Sequence, residues 1–249
     1  TVIWLRRGDE RKVKMLSYVA LPVAILVHSV TAWIFGLEIA KEGWYSAIMA
    51  PIFVASACDS GLALLMVVLA AVRKAGVFDC GRELFANLAR LLATFIAVDA
   101  FFIGCELLTT AYPGTEGASH VLGIMTSGAT APFFWFEILG GLLIPFVLLA
   151  SAKRRERTGV VVAASALVMC GVFCKRVWLL FTSFTVTNVY GAPGISSGST
   201  AARGADGFGM WALAGSYMPQ PVEFAVVAAV VSFCILGIAL LSKKLVAKA

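Results

Sequence analysis

Eight ionisable side chains fall within or at the margin of stretches that are otherwise apolar: His28, Asp59, Asp99, Glu106, Glu137, Lys175, Arg176 and Glu223. At the centre of a membrane helix each such group costs about 2.5 to 3.5 kcal/mol on insertion scales, so a set this large implies a use. Carboxylates, an imidazole and cations in an apolar setting suit two kinds of chemistry: relaying protons, and holding the polar headgroup of a ligand. Spacing shows which could cooperate. Asp99 and Glu106 are seven residues apart and share nearly one helical face, as do His28 with Thr31 and Ser56 with Asp59. Lys175 and Arg176 project about 100° apart and so serve different partners, one placed to neutralise Glu106 or Glu137 while the other faces a ligand. Plain pairing between helices would explain any single member, Asp99 most readily, and Glu223 also fits an interfacial cap.

The elements that must position these groups follow from composition. Hydrophobic residues make up 60% of the 249 and charged residues 14%, against roughly 25% charged in soluble domains. Six apolar runs are long enough to cross a hydrocarbon core about 30 Å thick. They lie at about Met15 to Leu37, Ser46 to Val72, Leu91 to Tyr112, Ala129 to Ala152, Val160 to Phe184 and Val222 to Leu241. A lipid-facing backbone must satisfy its own hydrogen bonds, and alternating ten-residue strands are absent, so the expected fold is all-α: a polytopic transmembrane bundle of six helices. Residues 1–14 read as a cytoplasmic basic segment and 15–249 as the membrane domain. Two outer loops, about 113–130 and 185–221, are rich in Gly, Ser, Ala and Pro; the second carries Tyr190, Phe208, Met210, Trp211 and Tyr217 and fits either a spacer or a docking surface for an outer partner.

Sixteen of the twenty basic residues fall on one side of these spans: five before the first, four between the second and third, four after the fourth and three after the sixth. That excess marks the cytoplasmic side and puts both chain ends there. The net charge of +6 is then a topology signal with anionic-lipid contacts and needs no nucleic acid. In this orientation Glu137 lies about 12 Å along its helix from the outer end, Glu106 and Arg176 lie past the middle of helices running outward, and Glu223 is at the outer edge. His28 and Asp59 are near mid-membrane, so a polar chain is expected from the membrane centre toward the outer face. The six cysteines read as buried thiols; Cys170 and Cys174 are a turn apart, but nothing completes a zinc or iron–sulfur ligand set, and no metal site is expected.

The stretch HSVTAWIFGLEIAKEGWYSAIMAPIFVASACDSG resembles the NrfD-like family, the membrane subunits of polysulfide-reductase-type quinone oxidoreductases. The residues that carry the likeness are His28 through Gly36, Trp44, Ala50 and Pro51, Phe53, Ser56 and Ala57, and Ser60 and Gly61. Arg176 and the segment YMPQPVE, with Tyr217, Pro219 and Glu223, extend it along essentially the whole chain. The resemblance implies a subunit without haem or cluster of its own that exchanges electrons, near the outer face, between a quinone (menaquinone in the first instance) and partners: a ferredoxin-like iron–sulfur subunit, a multihaem cytochrome c, or both, with other membrane subunits. It also implies a bacterial or archaeal cytoplasmic membrane. Family members generally have eight or ten helices, so six resemble the C-terminal part of a ten-helix member, and Thr1 to Leu5 read as the end of an earlier helix. His28, Asp59, Glu106, Glu137 and Arg176 are the main candidates for quinone binding or a proton path, with Thr31, Asp99, Lys175 and Glu223 behind them; the carboxylates belong either to a quinone pocket or to a second, proton-conducting bundle. A haem-bearing subunit is disfavoured, since His28 is the one histidine in a span and bis-histidine ligation needs two. A secondary transporter, binding substrate or ion with the same charges, is the alternative; Pro22, Pro51, Pro132 and Pro145 are too scattered to mark the paired broken helices it predicts.

Overall fold

A computed structural model describes residues 10–39, 41, 43–76, 81–185 and 220–245. Residues 186–219 of the outer loop with its aromatic residues, Tyr217 and Pro219 among them, together with Cys80 and the terminal segment Thr1 to Leu5, lie outside the described residues. Every regular element described is helical, and six helices are long and apolar enough to cross a membrane. They are α1 (Glu10–Gly36), α2 (Met49–Lys74), α3 (Arg82–Ala111), a composite rod from Ala131 to Ala150, α8 (Thr158–Thr185) and α9 (Pro221–Leu245). The rod consists of α5 (Ala131–Trp135), a π-helical segment π1 (Phe136–Leu143) and α6 (Ile144–Ala150); α7 (Ala152–Arg155) is the short turn after it. The chain is thus a multi-pass membrane protein.

Helices α2, α3, α8 and the rod form the central bundle. Its core joins Ala63 and Met66 of α2, Phe85, Leu92, Ile96 and Ile103 of α3, Leu142 and Leu149 of the rod, and Val161, Ala164 and Val168 of α8. Lipid tails are as apolar as these side chains, so the association comes from close packing and interhelical hydrogen bonds. The tightest crossing is Gly141 on Gly171: a Cβ added to Gly141 would lie 2.6 Å from the Gly171 Cα, closer than any side chain tolerates. Helix α1 packs chiefly on α2 and buries only Ser29, Ala32 and Gly36. Helix α9 is apolar all round and buries none of its span against the described residues.

Three expectations are corrected. The 113–130 stretch is mostly helix: α4 (Glu116–Ser127) starts where the Thr115 hydroxyl accepts from the Ala118 N–H, and it buries Val121 and Met125, one turn apart, against the bundle. Its glycines and serines hid that amphipathic pair. Helix α3 begins at Arg82, nine residues earlier than Leu91, because Phe85 and Ala89, one turn apart, are buried against the bundle while Arg82 and Arg90 stay exposed. The five described cysteines do not line the core: Cys58, Cys170 and Cys234 are exposed on outward faces, and Cys105 and Cys174 are half-buried.

Candidate functional site

The return between α1 and α2 is fastened to the end of α8. Gly43, at φ 85°, takes a left-handed conformation that side chains disfavour, and a Cβ there would lie 2.7 Å from Ser183 Oγ. Trp44 donates from Nε1 to the Leu179 carbonyl at 2.9 Å and packs edge-on against Phe35 and Phe184. These contacts hold Ser46 where its hydroxyl donates to Glu106 Oε2 at 2.5 Å. Lys41, in the same return, has its ammonium pKa held below the ordinary value by partial burial.

One turn deeper, four helices converge on Lys175. Its side chain is 2% exposed, and its Nζ lies 2.6 Å from Asp99 Oδ2 of α3 and 3.1 Å from Glu137 Oε1 of π1. Glu137 Oε2 accepts from Trp178 Nε1, one helical turn along α8. Asp59 of α2 is fully buried within electrostatic reach of both Asp99 and Lys175. Neither Asp59 oxygen has a hydrogen-bond partner among the described residues, and the buried Ser56 hydroxyl one turn away has none either. Arg176 points to another side, as its 100° offset requires: its guanidinium carbon stands 3.8 Å from the centre of the Phe53 ring while its charge acts on Asp59, Asp99 and Glu137.

The rod's winding brings Glu137 to this cluster. Pro145 has no N–H for the carbonyl of Gly141, and the paired glycines Gly140 and Gly141 let the rod approach α8; the turns between are wide, as at many functional π-bulges.

Above Lys175 the helices part around a narrow pocket. Lys175 and Trp178 form its floor, Glu106, Leu107 and Thr110 one wall, Met49 and Ile52 another, and Thr182 and Ser183 a polar rim. Val121 and Met125 of α4 close it from above. The pocket is mainly apolar with a few convergent polar groups, the usual make-up of a small-molecule site.

Of the residues singled out by sequence, Asp59, Asp99, Glu137, Lys175 and Arg176 come together, and Glu106 lines the pocket above them. Asp99 and Lys175, ranked behind the others in sequence, stand at the centre. His28 and Thr31 do not join: His28 Nδ1 lies 2.9 Å from the Ala24 carbonyl and Thr31 donates to the Val27 carbonyl, each one turn back on α1. Glu223 Oε2 accepts from the Gln220 N–H at the start of the exposed α9, the bond of a helix cap. Sequence reasoning missed Trp178, Ser46 and the roof helix α4; the Thr115 cap followed by Val121 and Met125 was the one readable signal for the last.

The family described as polysulphide reductase, NrfD matches residues 2–188. The chain is 36% identical over 215 residues to a Halobacterium salinarum protein described as a membrane subunit of dimethyl sulfoxide reductase, a match covering 86% of this chain and 48% of the relative. It is 29% identical over 175 residues to a selenate reductase subunit of Mesobacillus selenatarsenatis, covering 70% and 40%. To the Hdr-like menaquinol oxidoreductase integral membrane subunit of Archaeoglobus fulgidus it is 26% identical over 172 residues, covering 69% and 44%. The chain spans somewhat under half the length of each of these relatives.

Proposed function

The chain belongs to the NrfD family, and from that premise we propose that it is part of the membrane-embedded subunit of a respiratory redox complex, exchanging electrons between a quinone and partner subunits. The observation that carries this reading is a mainly apolar pocket whose floor, Lys175, is ion-paired to Asp99 and Glu137 beneath it. A quinone headgroup has two oxygens at opposite ends, and its interconversion with the quinol takes two electrons and two protons. Glu106, hydrogen-bonded to Ser46, serves one end of the pocket, and Lys175 serves the other.

In the oxidation direction the quinol gives two electrons to a redox centre of the partner and releases two protons. Glu106 accepts one at its end of the pocket. The other passes through Lys175 to the cluster of Asp99, Glu137 and Asp59. Three carboxylates face two cations there, Lys175 and Arg176, and an unmatched charge in an apolar interior is costly, so the cluster as a whole has a place for that proton. His28 lies outside this route.

The basic side of the bundle is the cytoplasmic side, with both chain ends on it, and the pocket lies toward the outer face, beneath α4. The partners are a ferredoxin-like iron–sulfur subunit or a multihaem cytochrome c there, in a bacterial or archaeal cytoplasmic membrane. A relative described as a menaquinol oxidoreductase subunit supports menaquinone as the substrate. Glu106→Gln and Asp59→Asn in the complete complex test the reading, with quinol oxidation and proton release followed together. Both variants should lose most turnover while the complex stays assembled; full turnover in both would sink it.

A further inference from the structure

The lipid side of the pocket wall carries a second concavity. A groove of about 500 Å³ runs between α3 and the rod, lined by Ile96, Ala97, Ala100 and Gly104 on one side and by Leu142 and Phe146 among others on the opposite side. Among the described residues, no ionisable side chain lines it. Ala97, Ala100 and Gly104 keep the α3 wall low, and a Cβ added to Gly104 would meet nothing within 4 Å.

Ile103 and Leu107 line both this groove and the pocket that holds Glu106 and Lys175. Pocket and groove are therefore neighbouring faces of one stretch of α3, the polar one toward the α4 end and the apolar one reaching back to Ile96. From Leu107 to Ile96 the groove follows about 16 Å of helix toward the membrane interior. We propose that this groove binds the isoprenoid tail of the quinone whose headgroup occupies the pocket, the chain bending past Leu107 from one to the other. The proposal rests on the quinone reading above. A ligand with a compact polar head and a long, narrow apolar tail matches the adjoining polar and apolar concavities, whereas a tail-less ligand would leave the groove to lipid.

Gly104→Leu fills the groove without a clash at Cβ and replaces a poor helix former by a good one, so folding is protected; Ala100→Leu is a second variant on the same wall. The test compares two substrates in the complete complex: menaquinol-4, which carries an isoprenoid tail, and menadiol, which has none. The expected result is a KM for menaquinol-4 raised about tenfold in each variant, with the KM for menadiol unchanged. Equal changes for both substrates, or no change for either, would overturn the groove while leaving the quinone reading standing. An unchanged KM together with loss of a copurifying phospholipid from the variants would assign the groove to a lipid acyl chain instead. Wild-type complex that oxidises neither quinol would bring down both readings.

Discussion

The central bundle and the outlying helices α1 and α9 contain the same kinds of polar residue and treat them in opposite ways. In the bundle, Lys175, Asp99 and Glu137 come from three helices and satisfy one another across them. On α1, Ser17, His28 and Thr31 each bond to a carbonyl one turn back on their own helix, and on α9 Glu223 bonds within its first turn. A polar group satisfied by its own helix asks nothing of a neighbour and can face lipid or another surface. A polar group satisfied only across helices fixes which helices meet, and at what register.

Replacing Lys175 should separate the two regions most sharply. Lys175→Met leaves Asp99 and Glu137 buried and unpaired, and is expected to cost about 3 to 5 kcal/mol of stability together with nearly all quinol turnover. Thermal unfolding in detergent and a turnover assay would check it; a variant as stable as the parent would mean that the cluster does not organise the bundle. Trp178→Phe keeps the ring but removes the donor to Glu137, a bond to a charged group whose loss should cost about 1.5 to 3 kcal/mol. Its turnover should fall more than its stability, because Trp178 also floors the pocket. Gly141→Ala inserts a methyl against Gly171 and should cost about 1 to 3 kcal/mol by forcing the rod from α8, read as a lower Tm. His28→Ala should move stability by less than about 0.5 kcal/mol, the range for sites without such partners. If His28→Ala also abolished turnover at unchanged Tm, the imidazole would act on the quinone from α1, and the division between bundle and periphery would hold for folding but not for chemistry.

The same contrast explains what could be read from the chain beforehand. All six spans were visible because crossing a membrane demands a length of apolar sequence, and no packing detail is needed to count it. The inward face of α3 was visible too, since Asp99 and Glu106 repeat at seven residues. Their fates were not: periodicity gives a residue's face but not its neighbour, and Asp99 meets Lys175 while Glu106 meets Ser46. Asp99 and Lys175 ranked low for that reason. Helix α4 was lost in a composition typical of loops, and the wide turns of π1 have no periodicity of their own to detect.

Those wide turns also bear on descent. A π turn is the trace left when one residue is inserted into an α-helix whose two ends stay anchored. In the rod the anchors are α5 at one end and α6 with Pro145 at the other, and Glu137 sits in the first wide turn between them. Deleting one residue from 138–143 would restore ordinary winding and swing Glu137 about 100° away from Lys175 without changing a single functional side chain. Among relatives, then, a one-residue gap in this stretch would separate chains that keep the buried ion cluster from chains that have lost it, even where every charged residue is retained.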